Sequence, residues 1–206
     1  MKRSIEELNA IELDVLREIG NIGAGNAVTA LAKMLNKKVD MSVPQVRILE
    51  FKSVTELLGG ADNLVVGILF DVTGDLEGYI MFILEQKYAH MLVNMLMSKD
   101  LSDMSDFSEM DISALKEIGN ILAGSYLSSL SALTNLKILT SIPDLAIDMA
   151  GAILSVPAIE FGKIGNTVLF IETEFKEDDC TIVGNFFLVP EVESYDVLLK
   201  ALGVVD

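Results

Sequence analysis

Hydrophobic positions in this 206-residue chain recur with two periods, and the same order of periods occurs twice. Apolar residues spaced three to four apart predict helices, and apolar residues at every second position predict strands. Each half has a long helical pattern, an extended stretch around a proline, two β-rich runs and a short amphipathic helix. The helical patterns cover residues 5–35, 86–97, 112–133 and 192–202. The extended and β-rich runs cover residues 39–51, 65–72, 79–84, 138–147, 168–175 and 182–189.

Short turns join the β-rich runs of each half, at Gly74-Asp75 and at residues 177–179. Strands joined by such short turns must be antiparallel. Neither half is expected to bury its own helix and sheet faces well, so the halves should share one core. We therefore predict an α/β protein of the α+β type, with a mostly antiparallel sheet packed against long helices. It should be a single pseudo-two-fold domain over 1–206, built of repeats 1–103 and 104–206.

The two halves are related by an internal sequence repeat. Residues 16–25 read LREIGNIGAG and residues 115–124 read LKEIGNILAG, a separation of 99 residues. The same separation relates Asn36 to Asn135, Lys38 to Lys137, Ser42 to Ser141 and Pro44 to Pro143. A common separation over so long a span indicates two copies of one structural unit. The acidic stretch 98–109 is interpreted as the linker between them.

A polar stripe is expected on the long helix of each copy. At 100° per residue, three polar residues and one glycine of each helix fall in one narrow arc, with apolar side chains on the other faces. These residues are Asp14, Glu18, Asn21 and Gly25 in the first copy, and Ser113, Glu117, Asn120 and Gly124 in the second. Each Glu and its Asn should therefore be exposed side by side on a rigid helix.

The stripe has a structural interpretation as well as a functional one. Any surface helix has a polar face, and close helix packing explains Gly20 and Gly23, which lie on the apolar side. An Asn within a helix is less ordinary, because it competes for backbone hydrogen bonds. Core packing does not explain Gly25 and Gly124, whose missing side chains leave room for another molecule to approach. The spacing alone leaves both interpretations open.

Composition argues against several functional classes. The formal net charge of −16 disfavours nucleic acid and anionic lipid as partners, because both are bound through clustered Lys and Arg. No apolar run is long enough for a membrane span, and the amino terminus lacks the apolar stretch of a signal peptide, so we expect no membrane insertion and a cytoplasmic location. The one cysteine, Cys180, fits a reducing compartment. His90 has no companion ligands and is expected at a surface or half-buried helix position. The run GNIGAGNA lacks the ending of a phosphate-binding loop.

Both copies match a known signature at every fixed position. The patterns Asp14-x3-Glu18-x2-Asn21-x22-Pro44 and Ser113-x3-Glu117-x2-Asn120-x22-Pro143 resemble the signature of the CheC/CheX/FliY family of chemotaxis phosphatases. Two intact copies with little else are most similar to the CheC-type members. The resemblance implies removal of the aspartyl phosphate of a CheY-like response regulator, and a CheD-like deamidase as a second partner. Asp148, within residues 146–151, is a weak candidate for docking that deamidase, and an ordinary strand-to-helix connection is the structural alternative.

The expected chemistry assigns different roles to the amides and the carboxylates. Asn21 and Asn120 would place the attacking water, because an amide accepts and donates hydrogen bonds without carrying charge. As the resemblance implies, Glu18 and Glu117 would engage a lysine of the regulator. A general-base role for these carboxylates is the alternative, and repulsion from the phosphoryl group disfavours it.

The remaining signature residues have supporting roles. Asp14 and Ser113 would orient the neighbouring Glu or touch the partner, and Pro44 and Pro143 would shape the entry into the next strand. The chain is expected to bind no cofactor or metal itself, with Mg²⁺ supplied by the regulator. It is also expected to act as a monomer through an open, convex surface. Sequence differences between the two copies predict that the two sites hydrolyse the aspartyl phosphate at unequal rates.

Two other functions stay open. The chain could be a non-catalytic adaptor whose helix faces bind a phosphorylated response regulator or flagellar switch proteins without hydrolysis. It could also be a carboxylate metalloenzyme that uses Asp14, Glu18 and Glu117. The Glu-x-x-His motifs expected of such a site in a helical protein are missing from the sequence.

Overall fold

The computed structural model describes residues 9–35, 40–41, 45–161, 167–177 and 180–203. Over these residues the chain forms helices on both faces of a sheet. The helices are α1 (Ala10–Leu35), α2 (Phe51–Leu57), α3 (Gln86–Met97), α4 (Glu109–Thr134), α5 (Ala150–Phe161) and α6 (Val192–Ala201). The strands are β1 (Asp40–Met41), β2 (Gln45–Glu50), β3 (Leu64–Gly74), β4 (Gly78–Glu85), β5 (Ile138–Thr140), β6 (Asp144–Met149), β7 (Thr167–Glu177) and β8 (Cys180–Pro190).

The hydrophobic periods located the long elements, and the predicted α+β class is confirmed. They missed α2 and α5. α2 has only seven residues, and α5 is apolar at most positions, so it has little periodicity to detect. The predicted start of the first helix, at residue 5, lies outside the described residues. α4 begins at Glu109, three residues before its predicted start, because Ser108 caps it.

The described strands form one sheet in which every pairing is antiparallel. β4 and β8, one from each repeat, pair at its centre, where Phe82 lies opposite Phe186 with ring centroids 4.7 Å apart. β3 and β7 flank this pair. The edges cross over, because β1 and β2 pair with β7, and β5 and β6 pair with β3. Each repeat therefore supplies the edge strand of the other.

Alternate residues of the central strands pack on opposite faces of the sheet. Phe82 and Phe186 lie on the face that α1, α3, α4 and α6 cover. Met81 and Phe187 lie on the other face, which α2 and α5 cover. This alternation is what strands buried on both faces require. α1 and α4 therefore have one side against the sheet and the opposite side free to be polar.

α1 and α4 approach each other closely at a glycine. A Cβ built on Gly23 would lie 2.5 Å from Cδ2 of Tyr126, whose side chain is fully buried. At the rim of this contact, Nδ2 of Asn26 donates a hydrogen bond to Oγ of Ser129 at 2.8 Å. Gly119 of α4 lies similarly close to Ile68 of β3, 2.9 Å from a built Cβ. Close packing thus explains these glycines of the apolar side.

The acidic linker is held against α3 and α4. Nδ2 of Asn94 donates to the backbone oxygen of Asp103 at 2.8 Å, and the ring of His90 stacks on Phe107 at 3.9 Å between centroids. His90 is therefore buried, with 6% of its surface exposed, and the expected surface or half-buried position is wrong. Sequence periodicity places His90 on α3, but it does not show that Phe107 returns to cover it. Burial lowers the pKa of His90.

An ion pair fixes the junction between the linker and α4 and predicts a pH dependence. Nζ of Lys99 lies 2.6 Å from Oδ1 of Asp111, and this contact, with the Ser108 hydrogen bonds, lowers the pKa of the Asp111 carboxyl to about 2. The folded pKa is below the unfolded value of about 3.9, so the pair stabilises the fold above about pH 4. That contribution is lost as the pH falls from about 4 to about 2.

Asp111→Asn is expected to lower the free energy of unfolding at about pH 7 by about 2 kcal/mol, because it removes a charge-assisted hydrogen bond. Urea unfolding at about pH 7 and about pH 3 checks this, and the variant should lose less stability on acidification than the parent chain. Glu109→Gln, in the same helical turn, is the control and should change stability by less than about 0.5 kcal/mol. Equal acid sensitivity of Asp111→Asn and the parent chain would contradict the assignment.

Candidate functional site

The two long helices begin with the same capping arrangement. In α1, Oδ1 of Asn9 accepts from the backbone N–H of Glu12 at 3.1 Å, and the Glu12 carboxylate accepts from the Asn9 N–H at 2.7 Å. In α4, Oγ of Ser108 accepts from the N–H of Asp111 at 3.3 Å, and the Asp111 carboxylate accepts from the Ser108 N–H at 3.0 Å. Such reciprocal caps fix the first turn of a helix. Both helices therefore hold their side chains on a backbone that is fixed from the first turn.

The polar stripe of the second copy is open to solvent, as expected. Glu117 and Asn120 are exposed, and a Cβ built on Gly124 would meet nothing within 4 Å. Residues three apart on a helix are neighbours, so the carboxylate and the amide lie side by side. Oγ of Ser113 donates to the backbone oxygen of Glu109 at 2.9 Å. Its proton is thus engaged, and the exposed hydroxyl oxygen can act only as an acceptor.

The stripe of the first copy differs at its asparagine. Glu18 and Asp14 are exposed, and Asp14 forms an ion pair with Arg17 at 2.9 Å. Asn21 is half-buried, and its Oδ1 atom is covered without a hydrogen-bond partner in the part of the chain that the structure describes. The expectation that both amides are exposed is therefore wrong for Asn21. Atoms close to it in the folded chain cover the oxygen, and a helical wheel shows only the residues of one helix.

The proline of the second signature lies next to the edge strands of the sheet. Pro143 is half-buried between β5 and β6, and Pro44 lies outside the described residues. Gly119 lies over Ile68, and the β6 residue paired with Ile68 is Leu145. This register places the start of β6 beside the middle of α4, which carries Asn120.

Asp148 belongs to a different surface. It is exposed on β6, and its Oδ1 accepts a hydrogen bond from the backbone N–H of Met149 at 2.7 Å. It lines a cavity of about 330 Å³ between β6 and α5, together with Asp144, Met81 and Ile153. Met81 and Ile153 belong to the core under α2 and α5, so this cavity is on the sheet face opposite to α1 and α4. The structure does not bring Asp148 together with the Glu–Asn pairs.

The sequence interpretation passed over Asp144, although a signal for it was present. Asp144, Ala146 and Asp148 alternate along β6 and therefore share one face of the strand. Together the two carboxylates form an acidic rim on an apolar cavity.

Two structural features are missing from the described part of the chain. Among these residues no group of three or more His, Cys, Asp or Glu side chains is placed to hold a metal ion. None of the described helices has the length and apolar character needed to cross a membrane.

Known proteins resemble this chain in sequence and in fold. Residues 11–48 and 110–147 match the model of the CheC-like family. Over 196 aligned residues the chain is 37% identical to the CheY-P phosphatase CheC of Bacillus subtilis. The alignment covers 93% of this chain and 94% of that protein. The chain belongs to the CheC-like family, as the signature predicted.

Solved structures share the fold. The crystal structure of FliY from Thermotoga maritima superposes with a TM-score of 0.75 at 24% identity, covering 96% of this chain and 98% of that one. A CheX–CheY–BeF₃–Mg²⁺ complex from Borrelia burgdorferi contains a chain that superposes with a TM-score of 0.51 at 17% identity, covering 82% of this chain and 95% of that one. At these identities the likeness describes the fold alone.

Proposed function

We propose that this chain is a phosphatase that hydrolyses the aspartyl phosphate of a CheY-like response regulator. The observation that carries the proposal is the exposed Glu117–Asn120 pair on the rigid, capped helix α4, with Glu18 and Asn21 in the corresponding place on α1. The name of the B. subtilis relative supports the substrate, and so does the complex of CheX with CheY and beryllofluoride.

The amide is the group suited to the hydrolytic step. Its carbonyl oxygen accepts a hydrogen bond from the attacking water, and its NH₂ group donates one to another oxygen. Because it carries no charge, it does not repel the phosphoryl group. Phosphoryl transfer depends mainly on positioning and charge stabilisation, so a correctly placed water is the main contribution that a second protein can make.

The carboxylate is suited to docking. Glu18 and Glu117 are exposed one helical turn from the amide, where each would pair with a lysine of the regulator and set the angle of approach. Asp14 and Ser113 would lie on the amino-terminal side of this contact. Arg17 already engages Asp14, and Ser113 offers only acceptor capacity, so the two copies would approach the regulator with different charge.

Under this proposal the second copy provides most of the phosphatase turnover. Asn120 is exposed, whereas the Oδ1 atom of Asn21 is covered. On α4 the amide oxygen that must accept a hydrogen bond from water is therefore already accessible. On α1 the same oxygen becomes accessible only after a local opening of the structure. The regulator supplies the Mg²⁺ ion with its phosphoryl group, and this chain acts in the cytoplasm as a monomer.

The test is phosphate release from a phosphorylated receiver domain, with and without this chain. A phosphatase accelerates release catalytically, at a small molar ratio of chain to receiver. The adaptor alternative predicts binding to the beryllofluoride-loaded receiver without any acceleration. Binding without turnover would therefore overturn the proposal.

We further propose that the cavity beside Asp148 docks a CheD-like deamidase. Its apolar walls and its rim of Asp144 and Asp148 suit a partner with a basic and apolar contact. Asp148→Lys should weaken binding of the deamidase about tenfold or more, because it places like charges together. Calorimetry with purified deamidase checks this. Asp106→Lys, an exposed acid of the linker that packs on α3 and α4, is the matched control and should bind normally. Equal weakening in both variants would indicate a general charge effect.

A further inference from the structure

Each long helix carries a large exposed apolar side chain at its second residue. Ile11 of α1 is 70% exposed and Met110 of α4 is 64% exposed. The two positions are separated by the same 99 residues as the rest of the repeat. A single exposed apolar residue is ordinary on a protein surface and needs no explanation. The same feature at the same place in both copies is a pattern that folding does not require.

Both side chains lie on the polar stripe. Counting 100° per residue, Ile11 falls within about 80° of Asp14, Glu18 and Asn21 around the helix axis. Met110 has the same relation to Ser113, Glu117 and Asn120. Because the Glu follows seven residues later, the apolar side chain lies about two turns, or about 10 Å, from the carboxylate along the axis.

The backbone under these side chains is fixed before any partner binds. The N–H of Ile11 itself donates to Oδ1 of Asn9 at 2.9 Å, within the capped first turn of α1. Met110 lies between Ser108 and Asp111, which form the corresponding cap of α4. A side chain on a rigid turn loses little conformational entropy on docking, so its burial contributes more fully to affinity.

We propose that Ile11 and Met110 are docking residues that insert into an apolar surface of the receiver domain, about 10 to 15 Å along the helix from the phospho-aspartate held at the neighbouring Glu–Asn pair. This inference rests on the proposed function. A folded domain whose phosphoryl group reaches Asn120 must also cover the neighbouring turns of α4. A chain of net charge −16 gains no long-range attraction to an anionic phosphoryl group, so apolar contact is needed to hold the complex.

The experiment separates docking from chemistry in one copy at a time. In an Asn21→Ala background, where α4 provides the turnover, Met110→Gln should raise the KM for the phosphorylated receiver about tenfold and leave kcat within about twofold. Met110→Leu should keep the parent KM, because Leu restores the apolar surface. The affinity for the beryllofluoride-loaded receiver should change in parallel with KM.

Leu133→Gln is the matched control, because Leu133 is 45% exposed and lies about 35 Å away at the other end of α4. It should leave both KM and kcat unchanged. An unchanged KM in Met110→Gln, or an equal rise in Leu133→Gln, would overturn the docking role while leaving the phosphatase intact. A parent chain without turnover would overturn the proposed function, and the docking role with it.

Discussion

The double variant Asn21→Ala/Asn120→Ala is expected to release phosphate from a phosphorylated receiver domain at least about 100-fold more slowly than the parent chain. Removing one oriented hydrogen-bonding group from a phosphoryl or acyl transfer site typically costs this much. Binding of the beryllofluoride-loaded receiver should change little, because the Glu side chains proposed to dock it are retained. Stopped-flow measurement of phosphate release gives the rate, and a binding titration gives the affinity for the receiver.

The single variants should divide this loss unequally. Asn120→Ala should remove most of the turnover and Asn21→Ala a smaller part, because the Oδ1 atom of Asn21 is covered and that of Asn120 is on an exposed side chain. Asn26→Ala is the matched control, since Asn26 is an exposed asparagine of α1 that bonds Ser129 instead of facing a partner. It should keep the full rate. A double variant that turns over at the parent rate would show that the amides do not place the water.

The second large effect is expected where α1 crosses α4. Gly23→Leu should lower the free energy of unfolding by about 4 kcal/mol, because a built Cβ already lies 2.5 Å from the buried ring of Tyr126. The repeat shows how this contact can be made differently. The corresponding residues of the other copy are Leu122 and Ala27, both fully buried, so the large and the small residue are exchanged between the helices.

This exchange provides a compensating variant. Tyr126→Ala alone should also be destabilising, because it leaves a cavity, but Gly23→Leu/Tyr126→Ala should be more stable than either single variant. Denaturant unfolding of all four chains measures the coupling. Gly124→Ala is the control, since a Cβ there meets nothing within 4 Å, and it should stabilise the chain by about 1 kcal/mol through helix propensity. Additive effects at Gly23 and Tyr126 would contradict direct packing.

The order of elements was available from the sequence because burial imposes a period on each of them. The run predicted over residues 65–72 became β3 (Leu64–Gly74), and the stretch 86–97 became α3 with the same bounds. α5 escaped detection because a helix that is apolar all round has no polar face to set a period. α2 escaped because it is short and begins where an extended pattern ends.

The candidate site was predicted one helix at a time, and this limited the prediction. A wheel places Glu117 and Asn120 together and outward because every position between them faces the core or its flank. The same wheel treats Asn21 as equivalent, although its carbonyl oxygen is covered in the folded chain. His90 and Phe107 illustrate the same limit, since an aromatic residue 17 positions later decides whether the imidazole is exposed.

By itself the sequence determined the repeat, the class of fold and the candidate Glu–Asn pairs, because helix and strand periods and motif spacing are local properties. The tertiary structure alone decided that each repeat supplies the other's sheet edge, that Gly23 receives Tyr126, and that the two amides are unequally exposed. These features depend on contacts between distant segments. The free energy of such contacts comes from packing, which no local pattern records.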